Sequence, residues 1–304
     1  MKLAIVTTPE RIEKDKNLVS EANKYFSHVV YTSIDSIKLE VGKELEIFYS
    51  RYDLSEFDYV LLIPTVEYKE FFYTALRILE NKDVLIPISS EKFFMMWNRP
   101  LLLRMLAKQG IKIRKTFAIA QNIVADTIAK ELKLPVMITT TKGKRVYVNK
   151  RGVLKDVLDL FRPGHMVVIE KPITPESVIW SFVIGEEVVA SYERVGNSRR
   201  SIVLDEKMKE IALKIRRILG SEYCVVNFIK VGKRLIANNV TLAPDFNLFY
   251  EATGKSVSDL LLSSIAERVR SGRNVLEDII EGMQKLSRWF EYAISNIRSI
   301  KKRV

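Results

Sequence analysis

Short apolar runs alternate with helix-periodic segments through the first part of the chain. The apolar runs predict strands at Lys2–Thr8, Val29–Tyr31, Asp58–Pro64 and Val84–Ile88. Helical periodicity predicts helices over residues 14–26 and Phe71–Leu79. Strands that alternate with helices pair in parallel, and uninterrupted apolar strands need helices on both faces of their sheet. The pattern therefore predicts an α/β, doubly wound parallel-sheet domain over residues 1–90.

From residue 91 the pattern changes to neighbouring strands separated by helices. Strands are predicted at Leu134–Ile138, Arg145–Asn149, Met166–Glu170, Val178–Ile184, Glu187–Glu193, Glu222–Lys230 and Arg234–Val240. Helices are predicted at Pro100–Gln109, Ile123–Leu132, Gly152–Leu160, Glu206–Leu219 and Lys255–Arg268. Turns at Gly185 and Gly232 join successive strands, so this part of the chain is rich in hairpins.

The tail is predicted to form one amphipathic C-terminal helix over residues 271–304. Its apolar positions recur at alternating spacings of three and four: Leu276, Ile279, Met283, Leu286, Phe290, Ala293, Ile297 and Ile300. Such a stripe packs either on the body of the same protein or against a second chain. The second arrangement predicts a homo- or hetero-oligomer through this helix.

Composition narrows the class of protein. Apolar residues make up 47% of the chain and no apolar run approaches the ~20 residues that a membrane span requires. The apolar start is too short for a signal peptide, which predicts a cytoplasmic protein without a membrane partner. Cys224 is the only cysteine and the chain has 2 histidines, so the residue types exclude an intramolecular disulfide and a zinc cluster.

The positive charge is concentrated in one segment. The chain has a net charge of +12, and residues 95–155 hold 14 Lys and Arg against 2 acids, so that 14 − 2 = +12. The remainder is neutral. A local positive field of this kind predicts an anionic partner, namely a nucleotide, an acidic protein or RNA.

The chain resembles the RimK-like ATP-grasp ligases in three stretches. These are residues 98–111, residues 168–173 with 182–190, and residues 235–240 with Asp245, Phe246 and 251–254. The resemblance covers about residues 1–265 and implies an ATP-grasp fold with a basic N-lobe over 91–167 and a C-lobe over 168–270. It also implies a reaction in which ATP phosphorylates a carboxylate and an amine attacks the acyl phosphate.

The resemblance implies lysines, an arginine and carboxylate-held magnesium in the site, and this sequence departs at those positions. Arg99 and Thr139 stand where the family has lysines, and Trp180 stands where it has an arginine. Asn227 and Asn238 stand where it has the magnesium carboxylates. Because Mg²⁺ prefers anionic oxygens, these two amides argue against a metal site.

ATP is the cofactor that the resemblance implies. The predicted nucleotide-binding residues are Arg99 and Lys142, with Glu170 and Ile173 as the hinge for adenine. The residues do not identify a catalytic group.

Three hypotheses follow for the function. The leading one is a degenerate ligase that binds a partner, or weakly binds nucleotide, without catalysing. The second is an active carboxylate–amine ligase in which phosphates are held by Arg99, Lys142, Lys144 and Arg145, and metal charge comes from Glu170, Asp245 or Glu251. The third is an RNA- or ribosome-binding protein that uses the basic lobe, since residues 142–151 interleave cations with Tyr147.

Overall fold

The computed structural model describes residues 1–120, 125–140, 144–160, 166–232 and 234–272. Two sequence predictions lie outside these residues. One is Lys142 as a nucleotide-binding residue, and the other is the C-terminal helix beyond residue 272. Among the described residues, no helix combines the length and the apolar character that crossing a bilayer requires.

The N-terminal region contains a parallel sheet with helices packed against it. Its strands are β1 (Lys2–Thr7), β2 (His28–Ser33), β3 (Ile37–Val41), β4 (Leu45–Tyr49), β5 (Tyr52–Asp53) and β6 (Tyr59–Leu62). Its helices are α1 (Asn17–Ala22), α2 (Lys69–Asn81) and α3 (Ser90–Trp97). Strands β2, β1 and β6 form the parallel sheet in that order, whereas β3, β4 and β5 form a small antiparallel sheet that the sequence did not predict.

The predicted strand at Val84–Ile88 was wrong. Only Leu85 pairs, through a single parallel bridge to Tyr59 at the edge of the sheet. Pro87 follows two residues later and has no N–H to donate to a ladder, so the pairing cannot extend.

A four-stranded antiparallel sheet follows. Its elements are α4 (Arg99–Lys108), β7 (Thr116–Ile119), α5 (Ala125–Leu132), β8 (Val136–Thr140), β9 (Arg145–Val148), α6 (Arg151–Asp159) and β10 (Val167–Glu170). The strand order is β7-β10-β8-β9. Ile138 and Ile169 pack on one face with apolar residues of α5 and α6. Because side chains alternate along a strand, Val168 and Glu170 point to the other face.

A five-stranded antiparallel sheet follows the four-stranded one. Its elements are β11 (Ser177–Ile184), β12 (Glu187–Val195), β13 (Ser198–Ser201), α7 (Glu206–Leu219), β14 (Tyr223–Val231), β15 (Arg234–Thr241) and α8 (Phe246–Thr253). A further helix runs over residues 257–272. The strand order is β13-β12-β11-β14-β15. Cys224 is buried in β14, and this burial raises the pKa of its thiol to about 12, as expected for a core cysteine.

Candidate functional site

A cleft of about 470 Å³ lies between the four-stranded and the five-stranded sheets. Four arginines line it, namely Arg99, Arg114, Arg145 and Arg194, and we call it the arginine cleft. The other lining side chains are Met137, Thr139, Glu170, Pro172, Ile173, Pro175, Val178, Trp180, Asn227, Ile229, Asn238 and Asn239. Glu170 is the only carboxylate among these residues, so the cleft carries an excess of positive charge.

Arg99 is held in place by the start of α4. The side chain of Asn98 accepts a hydrogen bond from the N–H of Leu101, which caps the helix, and Pro100 lies in the first turn. The side chain of Arg99 therefore projects from a helix end whose position is fixed. Its Nη2 lies 2.7 Å from Oε1 of Glu170, and its Nη1 donates to the carbonyl of Asn238 at 2.9 Å.

Glu170 is buried at the end of β10 and has three partners. Besides Arg99, its Oε2 lies 3.7 Å from Nη1 of Arg114, and Thr116 donates its hydroxyl to Oε1 at 3.0 Å. Burial lowers the pKa of Arg114, the charges of Arg99 and Arg145 lower it further, and Glu170 opposes these effects. One negative charge, on Glu170, thus lies among the positive charges of Arg99, Arg114 and Arg145 and cannot neutralise all three.

Asn227 and Asn238 form one network with Arg114. Asn238 donates its Nδ2–H to Oδ1 of Asn227 at 2.6 Å, and Arg114 donates to Oδ1 of Asn238 at 2.5 Å. Asn227 in turn donates to the carbonyl of Ile179 at 3.4 Å. Both amide oxygens are therefore acceptors for neighbouring N–H groups.

A bulge in β15 places two consecutive side chains in the cleft. Asn227 pairs with Asn239 and the next residue of β14, Phe228, pairs with Ala237, so Asn238 is the extra residue. In a regular strand, Asn238 and Asn239 would point to opposite faces. With the bulge, both line the arginine cleft.

The apolar part of the arginine cleft lies around Trp180. The Trp180 ring stacks on Tyr192 with ring centroids 5.1 Å apart and planes inclined by 13°. The guanidinium of Arg194 lies 5.3 Å from the centroid of the Trp180 ring on which it rests. Ile173 is half-buried and lines the same cleft.

Most residues that the sequence singled out come together in this cleft: Arg99, Thr139, Arg145, Glu170, Ile173, Trp180, Asn227 and Asn238. Asp245 and Glu251 do not line it. Asp245 caps α8 by accepting from the N–H of Leu248 and pairs with Lys14 at 2.6 Å, and Glu251 is exposed on α8.

Sequence reasoning missed Arg114, Arg194 and Asn239. No motif marks the two arginines, and Asn239 reaches the cleft only because of the bulge. The unusual asparagine pair at 238 and 239 was the one available signal. Among the described residues, no three His, Cys, Asp or Glu side chains come together as a metal-binding group.

The chain matches one family model and several known proteins. The model of the RimK-like ATP-grasp domain matches residues 98–265. A LysX alpha-aminoadipate–LysW ligase of Sulfurisphaera tokodaii is 24% identical over 84% of this chain and 95% of its own length. A probable alpha-L-glutamate ligase of Haemophilus influenzae is 21% identical over 72% of this chain and 81% of its own length.

Solved structures share the fold at lower identity. A RimK domain ATP-grasp protein of Sphaerobacter thermophilus has a TM-score of 0.71 at 15% identity and covers 87% of this chain and 99% of its own. The ATP-grasp ligase PsnB, in complex with its precursor peptide PsnA2 and AMPPNP, has a TM-score of 0.67 at 10% identity and covers 88% and 97%. Together with the family match over more than half of the sequence, these findings show that the chain belongs to the RimK-like ATP-grasp family.

Proposed function

We propose that this RimK-like ATP-grasp protein binds an anionic ligand in the arginine cleft and does not catalyse magnesium-dependent ligation. One observation supports this most directly. Asn227 and Asn238 stand at the two positions where the family has its magnesium-binding carboxylates. The two side chains are hydrogen-bonded to each other, and the amide oxygen of Asn238 also accepts a hydrogen bond from the guanidinium of Arg114. The proposed activity is binding, and the cleft supplies positive charge for it.

Magnesium does not suit these contacts. Mg²⁺ requires nearly octahedral oxygen ligands and favours carboxylates. Here the amide oxygen of Asn227 already faces the N–H of Asn238, and that of Asn238 already faces Arg114. The neighbouring guanidinium of Arg99 adds repulsion of a divalent cation. The proposed function therefore includes no magnesium-dependent step.

An anionic nucleotide does suit the cleft. Arg99, Arg145 and Arg194 would hold phosphate oxygens, because guanidinium groups bind phosphate through paired hydrogen bonds. Ile173 and Trp180 would provide apolar contacts for a base. The phosphates of ATP would supply the anionic oxygens, and the arginines would neutralise their negative charge, as a metal ion does in other phosphate-binding sites.

An acidic peptide is the other anionic ligand that fits this charge. The structures of PsnB and of the macrocyclase MdnC, the second with a TM-score of 0.66, contain precursor peptides. Carboxylate side chains of such a peptide would pair with the same arginines as phosphates.

An active ligase is the second candidate, because the relatives are named as ligases. In that case Arg99, Lys142, Lys144 and Arg145 would hold phosphates, and Glu170, Asp245 or Glu251 would supply charge for a metal. The present position of Asp245, which caps α8 and pairs with Lys14, favours binding over this alternative.

ADP formation separates the two candidates. The full chain would be incubated with ATP, magnesium and a mixture of amino acids and acidic peptides, and a RimK-like ligase with known activity would be assayed in parallel. We expect no ADP above the background without enzyme, together with binding of pyrophosphate by the same preparation. Formation of ADP that stops when EDTA removes the magnesium would establish the ligase instead.

A further inference from the structure

A groove of about 450 Å³ lies on the face of the five-stranded sheet that is turned away from the arginine cleft. Ile179 and Phe228 line this groove, whereas Trp180 and Asn227, their neighbours in the strands, line the cleft. Because side chains alternate across a strand, the two spaces lie on opposite faces of one sheet. We call the groove the back groove, and its walls are α7, the segment that follows α4, and the hairpin of β14 and β15.

The floor of the back groove is apolar. Ile179 and Phe228 are buried at its base. Met208, Ile211 and Leu235 line the same space and are only half-buried. Half-buried apolar side chains on a shared concave surface are stabilised when an apolar group covers them, so the floor favours a ligand with a hydrocarbon part.

The rim of the back groove carries an excess of positive charge. Its five cations are Lys112, Lys207, Lys214, Lys230 and Arg234, and its two carboxylates are Asp205 and Glu210. Asp205 already has a partner, because it caps α7 by accepting from the N–H of Met208. None of the five cations forms an ion pair with another residue that the structure describes. A doubly charged anion such as a phosphate monoester fits this excess better than a single carboxylate does.

The wall that follows α4 is fixed to the sheet. Gly110 has a φ of +75°, a left-handed conformation that turns the chain at the end of α4. The N–H of Ala237 in β15, the last strand of the sheet, donates to the carbonyl of Lys112 at 3.2 Å. This contact occupies the outer edge of β15 at that point, so a partner strand cannot pair there. A ligand therefore enters the back groove over its side chains.

The dimensions favour a small molecule over a protein partner. A space of about 450 Å³ is typical of a pocket for a small ligand. A stable contact between two proteins buries about 1,000 Å² or more. The half-buried apolar surface of the back groove is limited to Met208, Ile211 and Leu235, which is far less than such a contact needs.

We propose that the back groove binds a small amphiphilic anion, namely a phosphate monoester of a short hydrocarbon chain. The chain covers Met208, Ile211 and Leu235, and the phosphate pairs with lysines of the rim. The inference is independent of the proposed function, since no described residue lines both the back groove and the arginine cleft.

Calorimetric titration of the full chain tests this with octyl phosphate, hexyl phosphate and octyl glucoside, each kept below the concentration at which it forms micelles. We expect octyl phosphate to bind about fivefold more tightly than hexyl phosphate, since two more methylene groups are partly buried. Octyl glucoside has the same chain without the charge, and it should bind about tenfold more weakly than octyl phosphate.

Variants on α7 assign the binding to the back groove. Lys214→Ala should weaken octyl phosphate by about threefold, because it removes one partly exposed cation of the rim. The matched control is Lys209→Ala, which removes a half-buried lysine of the same helix that does not line the groove, and it should bind as the parent does. Met208→Gln should reduce the advantage of octyl over hexyl phosphate to about twofold.

Three results would overturn this inference. Equal affinities of the parent for hexyl and octyl phosphate would mean that the apolar floor takes no part. Equal effects of Lys214→Ala and Lys209→Ala would mean that the ligand follows the net charge or binds elsewhere. Binding to vesicles of phosphatidylglycerol without binding of monomeric octyl phosphate would mean that these cations contact a lipid surface. The affinity for pyrophosphate is measured separately, so the anion site of the arginine cleft stands or fails on its own.

Discussion

The arginine cleft and the start of α8 both contain residues that resemble family motifs, yet they use charge in opposite ways. In the cleft, Glu170 is buried and shared by Arg99 and Arg114. At the start of α8, Asp245 is half-exposed, caps the helix and pairs with Lys14. The cleft has four arginines and one carboxylate, so most of its positive charge is not neutralised. Asp245, in contrast, already has partners in the N–H of Leu248 and the ammonium group of Lys14.

This difference indicates where a ligand is needed. An acid that caps a helix and forms a surface ion pair contributes stability and requires no further partner. Arg99 and Arg114 are largely buried and share one carboxylate, and a buried guanidinium without an anion of its own is costly. The unneutralised positive charge therefore lies in the cleft and not at α8, and variants that change the charge of either region test whether an anion binds there.

Replacing Glu170 with glutamine should have the largest effect. The change leaves Arg99 and Arg114 without their shared carboxylate, which should lower the free energy of unfolding by about 3 kcal/mol. It should also raise the affinity for pyrophosphate by about tenfold, since the internal anion no longer competes. Urea unfolding measures the free energy of unfolding, and calorimetric titration measures the affinity for pyrophosphate.

The matched control is Glu187→Gln, which removes the charge of an exposed glutamate on β12. Unchanged or weaker pyrophosphate binding in Glu170→Gln would contradict the account.

Restoring carboxylates at the amide pair should have the next largest effect. The double variant Asn227→Asp, Asn238→Glu adds two negative charges beside Arg114. We expect it to weaken pyrophosphate binding in the absence of metal by about tenfold, and to make binding increase with magnesium. Titration with and without magnesium measures this. A variant that binds pyrophosphate as the parent does would show that the amide pair does not set the charge of the site.

Removing one exposed arginine of the cleft should have a moderate effect. Arg145→Ala should weaken pyrophosphate binding by about fivefold, and the loss should shrink at high salt because exposed charges are screened. The matched control is Arg234→Ala on β15, an exposed arginine that does not line the cleft. Equal losses in both variants would mean that the affinity reflects the net charge of the protein and not this site.

The smallest effect is expected at α8. Asp245→Asn keeps a good helix cap and loses one half-exposed ion pair, so the free energy of unfolding should fall by only about 0.5 kcal/mol. Pyrophosphate binding should not change. A loss of an ATP-dependent activity in this variant would favour the ligase hypothesis, in which Asp245 supplies metal charge.

The fold could be predicted in large part from the sequence because its signals are local. Apolar runs mark the buried strands β1 and β6, and the turns at Gly185 and Gly232 mark the hairpins of the five-stranded sheet. The small sheet of β3, β4 and β5 was missed because its strands are only partly buried and their apolar pattern is weak. The domain boundaries near residues 90, 167 and 270 stay predictions.

The site was less predictable because its contacts join residues that are far apart in the sequence. Motif resemblance located Arg99, Glu170, Asn227 and Asn238, but not the hydrogen bonds among them. Arg114 lies 124 positions from Asn238, whose amide oxygen it contacts, and no local sequence pattern predicts a contact over that distance. The bulge at Asn238 shifts the alternation of side chains, which sequence reasoning took as regular.

Titration of ATP into the pure protein, with magnesium and then with EDTA at matched ionic strength, distinguishes anion binding by the arginines from a magnesium-dependent nucleotide site. The arginine cleft should bind ATP at least as well in EDTA as with magnesium, since magnesium neutralises part of the ligand charge that the arginines attract. Binding that is about tenfold tighter with magnesium would contradict the account, because it would require a metal site within the cleft.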